Sequence, residues 1–552
     1  MKSKGNYFSI LLFVSLFSNN CKTQEILDYN NVSVGFSANT LFSANTLFEN
    51  LNGIHSFYAP KGNGTHTLFY LKFNFGAKDI NDTIYISTDN FFQPSGINRI
   101  YQGPVSADYS NVNYQERWIN KIWKLSKMDI DLFRAHWLCN QGLTLSGCNN
   151  LPELSETALN SILTWPGNGD TTRNESAQLA PYYDRNNNGK YEPNLGDYPI
   201  IKGMSAVYII QNDDAGSYFQ TNTNRRMGIE IHTMYYQFSA LDEIKNATFF
   251  DVTIFNRSDR NYYDFIVGKH LDGDIGNYAD DYFACDTSCN LMYFYNGDEN
   301  DESDGGRIGY GEYPPAFGLK SLNHKMNSCV RVFDNSSWYG DSSGSNIHPY
   351  TWKDRFWFHL NGLSSYGNPY LLPNGNPTKY QYYGNPLNPT EWSELAENLP
   401  AGDRKGYFTT EPVDLLSGQK LVYSYGLVYE GSGNRLQNVA ELLNNCSTYQ
   451  EAFDSNFEEY LEESPYNLTE ETINLAVYPN PLIVGSTLNF HNPNQENLTL
   501  SIIDVAGNVV QTITNISTQS VELNHSNLKN GIYFIELRNQ QGLFSKGKII
   551  IN

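Results

Sequence analysis

Asp184-Arg185-Asn186-Asn187-Asn188-Gly189-Lys190 sets oxygen-bearing side chains at the first, third and fifth positions of a short loop, with glycine at the sixth. Alternate residues of a tight loop converge on one point, so this spacing suits calcium, with the Lys190 carbonyl as a further ligand. The twelfth position, where an acidic ligand is expected, holds Leu195, and Asp197 two residues on can replace it by a different loop path. The competing reading is an Asn/Gly-rich turn without metal. A second group is Asp272-x-Asp274 with Asp280, Asp281 and Asp286. Carboxylates this close repel one another unless a cation or hydrogen-bond donors intervene. A hard divalent cation suits them; an exposed acidic loop is the alternative.

Other chemistry finds less support. Paired glycosidase carboxylates need an acid and a base facing across a cleft, and nothing in the sequence pairs them. Gly340-Asp341-Ser342-Ser343-Gly344 has the spacing of a nucleophile elbow, but polar residues flank it where a strand and a helix are needed. None of the ten histidines stands in an H-x-H, H-x2-H or H-x3-H arrangement that would hold zinc. The aromatic residues Trp352, Phe356, Trp357, Tyr366, Tyr370, Tyr380, Tyr382 and Tyr383 lie among Gly and Asn. They read as loops packed on a sheet, or alternatively as a stacking surface for sugar rings or a partner protein.

The elements that must position these residues are mostly strands. Tyr 40, Phe 31 and Gly 43 in a 552-residue chain favour β structure with many turns. Met227, Ile229, Ile231, Thr233 and Tyr235 alternate onto one face, as do Phe250, Val252 and Ile254, and then Tyr263, Phe265 and Val267. A short helix is expected over 127–137, capped by Ser126, and a second over 436–463, where Leu436, Val439, Leu443, Tyr449, Phe453, Phe457 and Tyr460 recur at helical spacing. Residues 335–390 read as long loops. An exact duplication, Phe36-Ser37-Ala38-Asn39-Thr40-Leu41 and again from Phe42, is too short to make a solenoid.

The net charge of −22 is repelled by nucleic acid and by anionic membranes, so no nucleic-acid partner is expected. The segment from Asn474 holds four basic and four acidic residues, so the excess lies upstream. At the other end Lys2 and Lys4 precede an apolar run over 7–17, the pattern of a cleaved secretory signal over 1–22 and too short to span a membrane. Cleavage near Cys21 is expected, with a lipid anchor on that cysteine as the alternative.

The tail carries the most specific signal. Leu488, Phe490, Leu498, Leu500 and Ile502 alternate with polar residues, and turn residues separate the runs. By itself this describes a small antiparallel sandwich of Ig-like type. Val477-Tyr478-Pro479-Asn480-Pro481, Ile503-Asp504-Val505-Ala506-Gly507 and Leu528-Lys529-Asn530-Gly531-Ile532-Tyr533 follow in that order, and a basic, apolar last strand contains Lys546 and Lys548. With these motifs the tail resembles the type A C-terminal sorting domain of the type IX secretion system of Bacteroidetes. The resemblance implies an outer-membrane translocon as partner and a sortase-like peptidase that cuts in the preceding linker. The cargo is then released or attached to surface lipopolysaccharide. Such a chain passes through the periplasm to the cell surface or medium.

The middle region also resembles large exported proteins with the same tail, to which no activity is attached. That likeness rests on Pro60-Lys61-Gly62-Asn63-Gly64, Gly103-Pro104-Val105-Ser106, Trp165-Pro166-Gly167, the 184–199 segment, Asp272-Gly273-Asp274-Ile275-Gly276, Asp280-Asp281, Cys285-Asp286-Thr287, Pro314-Pro315-Ala316 and Gly402-Asp403-Arg404.

Beyond Cys21 the chain has Cys139, Cys148, Cys285, Cys289, Cys329 and Cys446, and an even number in an exported protein suggests disulfides. Cys139 with Cys148 is the most plausible local bridge; Cys285 and Cys289 can close another small loop.

The sequence thus predicts a mostly β protein: a β-sandwich-like cargo over 25–463 with few helices, an acidic linker over 464–473, and an Ig-like β-sandwich over 474–552. The expected function is a calcium-stabilised, adhesin-like binding or structural protein with an unidentified glycan or protein ligand. The alternative is a secreted hydrolase acting on polysaccharide or protein.

Overall fold

The structure, a computed structural model, describes residues 24–39, 42–45, 47–48, 57–88, 98–140, 148–186, 188–215, 226–241, 243–306, 308–332, 349–466, 468, 474–478, 480–481, 486–490, 497–518, 520–523, 528–539 and 542–551. The expected signal over 1–22, the 340–344 motif and Pro479 lie outside them.

Two large antiparallel sheets form the cargo. In spatial order, one runs Gln24–Leu27, Ser33–Asn39, Phe57–Tyr58, His66–Lys78, Tyr262–Gly273, Arg404–Thr410 and Met326–Val332, with short strands added at its margin. The other runs Trp123–Ser126, Ser205–Asn212, Ile229–Gln237, Ala247–Asn256, Lys420–Glu430, Ala316–Ser321, Leu291–Asn296 and Asp281–Asp286. They share a core in which Phe75, Val267 and Phe408 of the first sheet meet Ile231, Val252, Leu319 and Tyr425 of the second. Each such side chain removed from water contributes about 1.5–3 kcal/mol. The face of Ile229, Ile231 and Tyr235 is the core face, as the alternation predicts. The duplicated hexapeptides fold back on one another, with Ser37 opposite Asn45 and Asn39 opposite Phe42.

The second sheet is covered on its other face too. Ile210, Tyr236, Phe249 and Tyr293 cluster there with Trp118, Ile162, Val439, Leu442 and Tyr449 of the overlying helices. Ser205–Asn212 and Ile229–Gln237 are therefore buried along their whole length.

Two helical expectations and one loop expectation meet different outcomes. Lys127–Asn140 is a helix, and the Ser126 hydroxyl accepts from the Asp129 N–H at 3.0 Å as a cap should. The helix expected over 436–463 is divided into Arg435–Asn444, Cys446–Asp454 and a 3-10 turn, Glu458–Tyr460. The last break centres on Phe457: it takes a left-handed backbone (φ 56°) and places its ring 4.7 Å from those of both Phe238 and Phe249. Burial of that ring outweighs helix continuity. Within the expected loops of 335–390, Trp352–Leu360 is a helix opened by a Thr351–Asp354 capping box. It lays Phe356 and Leu360 on Ile266, Val330 and Tyr407. The approach is close enough that a Cβ on Gly76 would lie 2.3 Å from Leu360 Cδ1.

The start of the acidic linker is not detached. Tyr466 and Leu468 pack with Ala135 and Leu138, beside the Cys139–Cys148 pair. The tail is a separate β unit ordered Val509–Ile516, Leu498–Asp504, Gly531–Asn539, Gly542–Ile551, Asn474–Tyr478, Thr487–Asn489 and Ser520–Glu522. Leu488, Leu498, Leu500, Ile502, Ile535, Leu537 and Ile549 form its core. Among the described residues no helix is long and apolar enough to cross a membrane.

Candidate functional site

The strand Tyr262–Gly273 pairs antiparallel with Arg404–Thr410, Asp272 opposite Lys405 and Gly273 opposite Arg404. Asp274 and Asp403, one step further on, therefore meet beyond the end of the pairing. Alternation places Asp272 and Asp274 on one side. The result is a cluster in which carboxylate oxygens of Asp272, Asp274 and Asp403 all lie within 4.8 Å of one another. Lys405 Nζ stands 3.4 Å from Asp272 Oδ2 and 2.8 Å from Asp403 Oδ2. His66 Nε2 is 3.9 Å from Asp274 Oδ2. Asp272 Oδ1 is buried with no hydrogen-bond partner. Burial, then the Asp274 charge, pushes the Asp272 carboxyl well above the usual carboxylate range, against the pull of Lys405.

The turn after this strand is held by further carboxylates. Asp281 Oδ2 accepts the Ile275 N–H at 3.0 Å, and burial drives that carboxyl upward. Asp301 accepts the Asn277 and Tyr310 N–H groups at 3.2 and 2.6 Å, and burial raises it to about 7. Asp280 faces Asp298 and Glu302, and burial followed by those charges raises it to about 6. Gly276 adopts φ +62°, where a Cβ would come within 2.2 Å of Asp301 Oδ2.

A hollow of about 300 Å³ adjoins the cluster, lined by Arg331, Val332, Leu399, Pro400, Asp403, Arg404 and Lys405. Its basic groups are anchored from below by Glu394, which is fully buried. Glu394 accepts from Arg404 Nε at 2.9 Å and from the Phe283 N–H at 3.0 Å, and pairs with Arg331. The wall combines three basic side chains and the Asp403 carboxylate with aliphatic groups.

The five acids predicted as a group thus do not form one site. Asp272 and Asp274 converge, and Asp281 buttresses the turn behind them. Asp280 turns toward Asp298 and Glu302. Asp286 stands at the far end of its strand, where it accepts the Ser288 and Cys289 N–H groups at 2.8 and 2.9 Å and closes a hairpin. Asp403, Lys405 and Glu394 were missed as site residues. Asp403 belongs to a motif already noted in the sequence, but only the strand register reveals what it faces.

In the 184–197 loop the oxygens close the loop on itself. Asp184 accepts the Asn188 and Gly189 N–H groups at 3.2 and 2.7 Å. Asn186 accepts the Asn188 N–H, and Asn188 the Lys190 N–H at 2.8 Å. Asp197 is fully buried and accepts the Arg185 and Glu192 N–H groups at 2.8 and 2.7 Å, so it returns to the loop mouth as its spacing requires. Burial raises its carboxyl, and the Asp184 charge adds to the rise.

Cys139 and Cys148 form a disulfide. Cys285 and Cys289 do not bridge one another; both are free thiols. Hairpin geometry explains the correction, since Cys285 faces the core between the sheets while Cys289 packs on the outer face.

In the tail the motif residues meet through the last strand. Asn480 Nδ2 donates to the Lys548 carbonyl at 3.0 Å, and its Oδ1 accepts the Ile550 N–H at 2.9 Å. Pro481 follows it, and the Tyr478 backbone belongs to the strand Asn474–Tyr478 beside that last strand. Asp504 closes its turn by accepting the Ala506 and Asn508 N–H groups at 2.9 Å, with Gly507 between them. After Asn530, Gly531 opens the next strand; Tyr533 donates its hydroxyl to the Lys529 carbonyl at 2.9 Å. Lys546 lies opposite Glu536 and Lys548 opposite Phe534.

No curated protein matches the chain. Among solved structures it is similar to a polysaccharide lyase at 9% identity and a TM-score of 0.16, the match covering 58% of this chain and 34% of the lyase. The chain thus spans about a third of that enzyme's length, and a likeness of this size carries no argument about activity. Residues 476–552 match the secretion system C-terminal sorting domain family. With its motif residues gathered around one terminal strand, this chain is an exported protein bearing a type IX secretion C-terminal sorting domain.

Proposed function

We propose that the cargo is a calcium-stabilised binding or structural protein of the cell surface, adhesin-like in role. The carrying observation is the convergence of Asp272, Asp274 and Asp403 within 4.8 Å, with a buried Asp272 oxygen lacking a hydrogen-bond partner. The donor set is all oxygen and hard, as calcium requires. The three carboxylates crowd one another, and a divalent ion would offset their mutual repulsion. The 184–197 loop is a second candidate, already closed by its own backbone donors. The hydrolase alternative needed two carboxylates across an aromatic-lined cleft. The hollow beside Asp403 presents that one carboxylate with Arg331, Arg404 and Lys405 rather than a facing pair of acids, which supports the binding reading.

Delivery follows the sorting tail: signal-dependent passage into the periplasm, recognition by the translocon, and cleavage by a sortase-like peptidase in the linker. Calorimetric titration of calcium into the chelator-treated full chain tests the cation reading. Asp272→Asn and Asp403→Asn should abolish a binding event that Asp184→Asn leaves in place. A chain that takes up no calcium, and melts identically with and without chelator, ends this reading.

A further inference from the structure

Among the described residues four free thiols remain outside the Cys139–Cys148 bridge, and they fall into two couples drawn from elements far apart in sequence. Cys285 lies on the Asp281–Asp286 strand of one sheet and Cys329 on the Met326–Val332 strand of the other. Both are fully buried in the core between the sheets. Residues 379–382 run alongside both. The Cys285 N–H donates to the Tyr382 carbonyl at 3.3 Å, and its thiol to the Gln381 carbonyl at 3.4 Å. The Cys329 N–H donates to the Lys379 carbonyl at 2.8 Å, and its carbonyl accepts from the Gln381 N–H at 2.9 Å. Both cysteines are thus held against the same short segment, near enough for the Cys285 thiol to act on that of Cys329.

The second couple lies on the opposite face of the same sheet. Cys289 sits in the turn closed by Asp286, half-buried, with Sγ 3.9 Å from the Leu443 carbonyl. Cys446, the first residue of the helix Cys446–Asp454, joins the same apolar cluster, and its thiol acts on that of Cys289.

An exported chain meets an oxidising compartment, where adjacent thiols do not stay reduced. We propose that the exported protein carries two further disulfides, Cys285–Cys329 and Cys289–Cys446. Each forms by exchange with an external disulfide donor, such as a protein dithiol oxidase. One thiolate of the couple attacks a donor sulfur, and the donor's second sulfur leaves as a thiolate. The partner thiol then gives up its proton and displaces the donor, closing the protein S–S bond; the donor departs reduced by two electrons. Half-buried Cys289 is open to such a donor in the folded chain. The Cys285–Cys329 couple is sealed, so its bond closes while the sheets are still coming together. One hairpin is thereby stapled on both faces: inward to the opposite sheet, outward to the last helices of the cargo.

The test is a peptide map of the full chain recovered after export, denatured and alkylated without reductant. The expected products are a Cys285 peptide linked to a Cys329 peptide and a Cys289 peptide linked to a Cys446 peptide. Cys446→Ser should expose one new alkylatable thiol, at Cys289, and Cys329→Ser one at Cys285. Four alkylated thiols in the unreduced wild-type chain would overturn the proposal. A Cys285–Cys289 link, or a Cys289 still blocked in Cys446→Ser, would overturn the pairing. The wild-type map stands even if a variant fails to fold.

Discussion

Lys405 holds its ammonium 3.4 Å from Oδ2 of Asp272, directly across the strand pair. It is the cation the chain itself supplies to the carboxylate cluster, and an incoming calcium ion must share that space. Lys405→Met should therefore act in two directions. Without added cation the fold is less stable, because Asp272 and Asp403 lose the ammonium that stands between them. Calcium affinity rises, because a competing positive charge is gone. Denaturant melts in chelator and calorimetry with calcium read the two effects separately, and unchanged stability in chelator would refute the role given to the pair.

The raised carboxyls give a pH dependence of defined sign. Asp280 titrates at about 6 and Asp301 at about 7 in the fold, against 3.8 when unperturbed. In that interval the folded chain binds more protons than the unfolded one, so stability falls as pH rises. The contribution is complete below pH 3.8 and exhausted above about 7. Thermal melts in chelator between pH 4 and 8 should show a decline for wild type. Asp301→Asn should flatten it; an equal slope in that variant would show that the titration lies elsewhere.

Gly276→Ala tests the geometry of the turn. The substitution forces an L side chain into φ +62° and against the Asp301 carboxylate. A cost of about 1–3 kcal/mol follows from the backbone region alone. Calcium affinity should fall with it, because the turn aligns Asp274 with Asp403. A variant that melts and binds like wild type would mean the turn is not constrained.

Legibility from sequence divides along the distance between partners. Tail alternation, the Ser126 cap and the short Cys139–Cys148 loop were readable because each rests on neighbours within a few residues. The acids from Asp272 to Asp286 look like one group only along the chain. Strand geometry sends Asp286 to the far end of a hairpin and brings in Asp403 from a distant strand. The buried Glu394 under two arginines had no local signal at all. The division of the 436–463 helix was equally hidden, since Phe457 fits helical spacing and leaves it for a pocket formed by Phe238 and Phe249.

Asn480 offers a test confined to the tail. Asn480→Ala removes both hydrogen bonds to the terminal strand. At an exposed position the loss is about 1 kcal/mol. The last strand should become more accessible to a protease while the cargo is unaffected. Export of the variant should fall, and if protease sensitivity rises with no change in surface delivery, the clamp serves stability alone.

The doubly covered sheet carries a consequence for recognition. Ser205–Asn212 and Ile229–Gln237 spend both faces on internal packing, and the sheet is left open at a hollow of about 310 Å³ beside His232, Asp251, Phe255 and Lys420. The basic hollow beside Asp403 lies instead at strand ends of the first sheet. New binding preferences can then be acquired by rewriting hairpin tips while the woven interior stays unchanged.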